Sequence, residues 1–263
     1  MNKSNNYLKP SFIVPQRIQP QLPLFIYLPG MDGSGELLRS QTARLENSFD
    51  VRCLKIPAND LSDWDNLTKY VVDAIKQEIE GHIGRSTYLC GESFGGCLAM
   101  KVATQIPHLL KRIILVNPAS SFHRLPLLSW ASGLLNFVPS PFYSLSTVGF
   151  LPFLMSLGKI SDKTRQEVEK TIREIPSKTI NWRVSLLREW SINNNQLSQL
   201  HQPVLLLASD SDRLLPSAIE AEILKEILPN ARIVVLPDSG HACLLENDIN
   251  LYEIMKNNDF IEK

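Results

Sequence analysis

Apolar residues are patterned in two alternating ways along this chain. Short continuous apolar runs, bounded by Pro, Gly or polar residues, predict strands covered on both faces. They are Leu22–Leu28, Val51–Ile56, Ser86–Cys90, Arg112–Asn117, Val204–Ala208 and Ile233–Leu236. Between them lie stretches with helical spacing. Leu67, Tyr70, Val71, Ala74, Ile75 and Ile79 make one stripe, and Cys97–Ile106, stopped at Pro107, makes a second. Ser217–Leu228 makes a third, and a last helix is expected from Ala242 to Met255. Strands and helices in alternation predict a mostly parallel sheet flanked by helices on both faces. Fold-like patterning starts by about Leu22, and no internal repeat or low-complexity segment interrupts it.

The middle of the chain breaks this rhythm. Leu125 to Gly158 contains no Lys, Arg, Asp or Glu. A membrane-spanning helix needs about 20 apolar residues in a row, whereas Pro139, Pro141 and Pro152 break this stretch and Gly133, Asn136 and several serines dilute it. The expectation is a helical cap over about 121–195, inserted between core segments at about 20–120 and 196–258. An uncharged insert rich in Leu and Phe, with Trp130, exceeds what packing a small cap requires. It predicts a lipophilic cavity or a lipid-facing lid, with peripheral membrane contact through the cap.

Candidate chemistry enters with Gly91-Glu92-Ser93-Phe94-Gly95-Gly96, which follows one apolar run and leads into a helical stretch. G-x-S-x-G in a strand–turn–helix setting is the pattern of a nucleophile elbow. A serine at the tip of so tight a turn is strained, and side chains two residues away on either side would collide, so glycine stands at both places. A serine hydroxyl is a weak nucleophile and needs a base, itself oriented by an acid. His241, in Pro237-Asp238-Ser239-Gly240-His241, follows the last strand, and Gly240 gives the backbone room to aim the imidazole back. His82 and His108 sit at polar helix ends, His201 lies in a loop before Pro203, and His123 opens the cap. Two acids compete in the polar loop after Val204–Ala208: Asp210, whose plainer role is a turn former, and Asp212. Acyl chemistry also requires donors for a developing oxyanion. The backbone N–H of Phe94 is one, and Met31, in the glycine-rich loop Pro29-Gly30-Met31-Asp32-Gly33-Ser34-Gly35, is best placed for the other. Asp32 is expected to brace that turn. The loop matches neither glycine-rich phosphate motif.

Charge and cysteine content narrow the rest. The 263 residues carry 27 basic and 27 acidic side chains without a basic run, so no nucleic-acid partner is expected. Cys53, Cys90, Cys97 and Cys243 lack metal-site or disulfide spacing and suit a reducing, cytoplasmic compartment. Met1–Pro10 is polar, with no apolar signal core. No metal or organic cofactor is implied.

Together, the Pro29–Gly35 loop, the elbow, Asn117-Pro118-Ala119, the acidic loop and Gly240-His241 resemble the α/β-hydrolase superfamily from about Leu22 to Met255. The resemblance implies a single domain of α/β-hydrolase fold over 1–263 with an inserted helical cap. It also implies the chain order Ser, acid, His. Asp-x-x-x-Pro, the spacing usual for the acid in that family, favours Asp212 over Asp210. More narrowly, Ser93-Phe94-Gly95-Gly96-Cys97-Leu98-Ala99 and Val116-Asn117-Pro118-Ala119-Ser120-Ser121-Phe122 are similar to the hydrolase-like part of the phytyl ester synthase group. That group moves fatty acyl chains onto phytol or glycerolipid alcohols. Its long plant members also carry an H-x-x-x-x-D motif, absent here, since His241 is followed at that offset by Glu246. The resemblance therefore implies hydrolysis of a lipophilic ester or thioester, with acyl transfer as the alternative. A ligand-binding protein that had kept only the fold would be expected to lack a triad member.

Overall fold

The computed structural model describes residues 9–82, 84–125 and 152–262. Residues 126–151, with Trp130, Gly133, Asn136, Pro139, Pro141 and most of the uncharged stretch, lie outside the described residues. Seven strands form one sheet: β1 (Ser11–Ile13), β2 (Leu24–Leu28), β3 (Asp50–Lys55), β4 (Thr87–Glu92), β5 (Arg112–Val116), β6 (Val204–Ser209) and β7 (Ala231–Leu236). They are ordered β1-β3-β2-β4-β5-β6-β7, and all neighbours are parallel except β1, which runs antiparallel to β3. The described α-helices are α1 (Arg39–Leu45), α2 (Trp64–Ile79), α3 (Phe94–Gln105), α4 (Asp162–Arg173), α5 (Ser177–Arg188), α6 (Asn194–Leu197), α7 (Ser217–Ile227) and α8 (Leu251–Asn257). Among the described residues no helix is long and apolar enough to cross a membrane.

The unbroken apolar runs have a physical reason. Side chains alternate between sheet faces, and both faces of this sheet are covered. Leu24, Ile26, Leu28, Leu89, Ile113 and Leu115 pack on one side with Val71, Leu98, Val102 and Leu224 of the covering helices. Phe25, Tyr27, Tyr88, Cys90, Ile114 and Leu205 pack on the other with Leu45, Leu251 and Met255. Each such side chain contributes about 1.5–3 kcal/mol by leaving water, so the central strands are the most firmly held part of the fold. All four cysteines are free and buried, and burial pushes the Cys53 thiol up to about 12. They serve as small hydrophobes rather than nucleophiles.

Three expectations change. Ordered structure begins before Leu22, because β1 pairs Phe12 with Leu54 at the sheet edge. Helix α1 carries Gln41 and Thr42 on its buried side, so no apolar stripe marks it in the sequence. The last helix is not continuous from Ala242: a 3₁₀ turn at Cys243–Leu245 gives way to α8 only at Leu251. Gln41 explains the break. Its Nε2 donates to Leu244 O (2.8 Å) and Ile249 O (2.9 Å), and its Oε1 accepts from Leu251 N (2.9 Å). Backbone groups that a continuous helix would pair internally are thus tied to α1. Asn250 then caps α8 by accepting from Glu253 N.

After β1 at the sheet edge, the chain enters the parallel part of the sheet at β2. It passes outward to β3 and then returns to β4 on the other side of β2. Adjacent parallel strands whose connections leave in opposite directions open a crevice at their carboxyl ends. Here the loop after β2 and the turn after β4 meet, and both contribute to the site.

Candidate active site

The elbow is built by the clash of backbone with backbone. Ser93 joins β4 directly to α3 at φ 54°, ψ −115°, in the region that side-chain-bearing residues avoid. The sharp reversal presses the flanking residues together. A Cβ on Gly91 would lie 2.3 Å from Gly95 O, and one on Gly95 would lie 2.1 Å from Leu28 O. Neither position accepts even alanine without moving backbone. The strained serine is held by its own peptide groups: Ser93 N donates to Val116 O (2.9 Å), and Ser93 O accepts from Gly96 N (2.9 Å) and Ala119 N (3.0 Å). Helix α3 therefore starts at Phe94, three residues earlier than the periodicity from Cys97 suggested.

Three side chains from three loops converge here. His241 Nε2 lies 2.8 Å from Ser93 Oγ, and His241 Nδ1 lies 2.7 Å from Asp212 Oδ2. The imidazole and the carboxylate are 4% and 1% exposed, so little water competes for either contact. Asp212 is fixed further by Leu214 N (2.8 Å) and Leu215 N (3.0 Å), which donate to Oδ1, and by the Ser217 hydroxyl, which donates to Oδ2. Burial alone would raise its carboxyl. The His241 contact and the other donors outweigh burial and hold it below the usual carboxylate range, so it is an anion beside the imidazole. Asp210 does something else: its Oδ1 accepts from Asp238 N (2.7 Å), tying the loop after β6 to the loop that carries His241. The other four histidines are exposed, His123 with its ring 6.2 Å from that of Trp190.

Residues that the sequence did not single out hold this arrangement. Asn117, at φ 43°, ends β5 and faces the histidine loop. Its Nδ2 donates to His241 O (2.7 Å) and Ser209 Oγ (2.9 Å), and its Oδ1 accepts from Ser209 N (2.8 Å). Glu246 Oε1 accepts from Gly240 N (2.7 Å), which steadies the loop carrying His241. Glu92, inside the elbow, is buried and accepts from the Tyr27 hydroxyl. Burial pushes its carboxyl up to about 7, with Asp32 adding to the rise and Tyr27 and His241 opposing it.

The loop after β2 sits against the elbow, since a Cβ on Gly30 would come within 3.8 Å of Ser93 Cβ. Gly33 N donates to Gly30 O (3.0 Å), closing a β-turn with Met31 and Asp32 at its centre. In a trans peptide the N–H points opposite to the C=O, so this bond turns the Met31 N–H out of the turn. Asp32 accepts from Ser34 N (2.8 Å) and from the Ser34 hydroxyl, bracing the loop as expected. The Phe94 N–H, at the first turn of α3, has no intrahelical acceptor. Its ring stacks on Trp64 at 4.6 Å between centroids. Among the described residues no three His, Cys, Asp or Glu side chains come together as a metal site.

A serine on a strained turn, hydrogen-bonded to a buried His–Asp pair, is an arrangement that can perform acyl chemistry. Comparison with known proteins bears on the fold that carries it. The family model described as alpha/beta hydrolase fold matches residues 23–248. The chain is 36% identical over 259 residues to "Phytyl ester synthase 1, chloroplastic" of Arabidopsis thaliana, covering 89% of this chain and 36% of that one. For "Phytyl ester synthase 2, chloroplastic" the identity is 28%, over 89% and 37%. The chain thus spans little more than a third of the length of these two relatives. A pimeloyl-[acyl-carrier protein] methyl ester esterase of Nitrosomonas europaea is 28% identical over 70% of this chain and 73% of its own. Among solved structures, MenH from S. aureus superposes with a TM-score of 0.77 at 14% identity, covering 95% of this chain and 97% of that one. The esterase RhEst1 from Rhodococcus sp. does so at 0.72 and 15%, covering 94% and 93%. The chain belongs to the α/β-hydrolase fold family.

Proposed function

We propose that this protein is a serine hydrolase that cleaves a carboxylic ester or thioester of a lipophilic acyl substrate through an acyl-enzyme on Ser93. The observation that carries this reading is the hydrogen-bonded chain Ser93–His241–Asp212 at the crevice. Ser93 Oγ attacks the carbonyl carbon while His241 Nε2 takes its proton. The carbonyl oxygen becomes an anion held by the N–H groups of Phe94 and Met31. Asp212 stabilises the imidazolium and keeps Nδ1 protonated. The tetrahedral adduct then collapses: the bond to the leaving alkoxide or thiolate breaks, and His241 gives that group its proton. Water attacks the acyl-enzyme by the same route, with His241 again taking and returning the proton. The reading treats the chain as one domain with a core at about 20–120 and 196–258 and a cap at about 121–195. It includes peripheral membrane contact through that cap and a cytoplasmic location.

A second reading is favoured by the 36% identity to phytyl ester synthase 1. The same acyl-enzyme would be resolved by phytol or another lipid alcohol in place of water. One reaction distinguishes the two. Purified protein and a Ser93→Ala control receive a long-chain acyl donor with and without phytol, and products are read by mass spectrometry. Free fatty acid that disappears in the control supports hydrolysis. Serine-dependent phytyl ester in excess over free acid supports transfer. Products that do not depend on Ser93 contradict both.

A further inference from the structure

One strongly polar contact joins the cap to the turn that carries Met31. Arg183, on α5, is 2% exposed. Its Nη1 donates to Met31 O (2.7 Å) and Asp32 O (3.1 Å), and its Nη2 donates to Pro57 O (3.3 Å). Burial lowers the affinity of this guanidinium for its proton, and the Asp32 and Asp60 carboxylates offset only part of that effect. The loop is shaped to receive it: a Cβ on Gly33, at φ 67°, would lie 2.7 Å from Nη1. A planar fork of donors holds several carbonyls at once, which a lysine ammonium does less well.

The two carbonyls beside Gly33 belong to consecutive peptides of the Gly30–Gly33 turn. The Asp32 carbonyl shares its peptide with the Gly33 N–H. By holding that carbonyl, Arg183 aims the Gly33 N–H at Gly30 O, the bond that turns the Met31 N–H outward. Two other polar ties of α5 go elsewhere: Trp182 Nε1 donates to Ser62 O (3.0 Å), and Leu186 O accepts from Trp64 Nε1 (2.9 Å).

We propose that Arg183 is a positioning residue for the oxyanion site: reaching from the cap, it fixes the turn that presents the Met31 N–H, so seating of α5 and readiness of the oxyanion donor are one event. This rests on the acyl-enzyme reading above. It assigns the cap a part in transition-state stabilisation as well as in covering the substrate.

The test compares Arg183→Met, Arg183→Lys and Trp182→Phe with the wild type on a short-chain p-nitrophenyl ester, too small to need the cap for binding. Ser93→Ala serves as the blank. Misplacing one oxyanion donor should lower kcat by about 10- to 100-fold in Arg183→Met, a little less than deleting one outright. KM should move by less than about threefold, because the interaction is stronger in the transition state than in the bound substrate. Arg183→Lys should fall between, and millimolar methylguanidinium should restore part of the Arg183→Met rate. Binding of a trifluoromethyl ketone, whose adduct carries the oxyanion, should weaken in step with kcat/KM across the series. Trp182→Phe loosens the same helix without touching the turn and should keep its kcat. The proposal is overturned if Arg183→Met keeps its kcat, if only KM changes, or if Trp182→Phe loses as much as Arg183→Met. Where Arg183→Met does not fold, Arg183→Lys carries the same comparison, and an unchanged kcat there has the same meaning. A wild-type rate equal to that of Ser93→Ala would instead sink the acyl-enzyme reading and leave the Arg183 contacts a matter of structure alone.

Discussion

At the scale of the residue, the site separates groups that react from groups that aim them. Ser93→Ala and His241→Ala are expected to lower kcat by several orders of magnitude while the protein stays folded, because each would remove a reacting group of the proposed acyl-enzyme route. Asp212→Asn should lower kcat by about 10⁴-fold, the size found when a triad acid can no longer fix the imidazole tautomer. Asp210→Asn should cost far less, since Asp210 only receives Asp238 N; steady-state kinetics on the pair separates the two acids. Glu92 has a different signature. Its carboxyl is raised from 4.5 to about 7, chiefly by burial, so the folded protein holds this proton more tightly than the unfolded chain does. Its contribution to stability is complete below 4.5 and is lost as pH rises through 7, amounting to about 3 kcal/mol at the alkaline end. Glu92→Gln should therefore flatten the fall in stability between pH 5 and 8. Denaturant midpoints across that range check it, and parallel slopes for the two proteins would contradict it. Ser93, His241 and Asp212 were legible as candidates because their motifs sit at strand ends. Asn117 and Glu92 were not, because a buried polar residue at the end of an apolar strand gives no local sign of its partner. Arg183 left a fainter trace: it falls at helical spacing with Ile180, Val184 and Leu187 on the buried side of α5. A cation on that side needs buried acceptors.

At the scale of the element, tight contacts decide what sequence can follow what. The β4–α3 elbow requires glycine at 91 and 95 because backbone occupies the space a Cβ would take. Gly95→Ala should cost at least about 2 kcal/mol, toward the upper end for overpacking in a rigid interior. It should also lower activity beyond the loss of folded protein, because Leu28 precedes the oxyanion loop and would be displaced; chemical denaturation and active-site titration together measure both parts. The strands were readable because double-sided burial leaves an unbroken apolar run. The break between Cys243–Leu245 and α8 was not, because its cause is Gln41, some 200 residues away in sequence. Short β1 escaped notice for a related reason: its three residues are only partly covered, so they show little contrast with the polar chain around them.

At the scale of the molecule, the sheet order brings the Met31 turn, Ser93, Asp212 and His241 to the carboxyl ends of the strands, although they come from segments up to 210 residues apart (Met31 to His241). β6 is buried along its length and β7 lies partly exposed at the sheet edge, but the loops after them are pinned to one another by Asp210 and to the end of β5 by Asn117. Such a site is held ready before substrate arrives, as electrostatic stabilisation of an oxyanion requires. The central claim is that Ser93 is the one activated nucleophile of this chain. It is tested most directly by treating the whole protein with a fluorophosphonate and reading its intact mass and labelled peptide. The account predicts one adduct per chain, on the peptide containing Ser93, absent in Ser93→Ala and strongly slowed in His241→Ala. A folded wild type that takes no label, or that carries it on another residue, would contradict it.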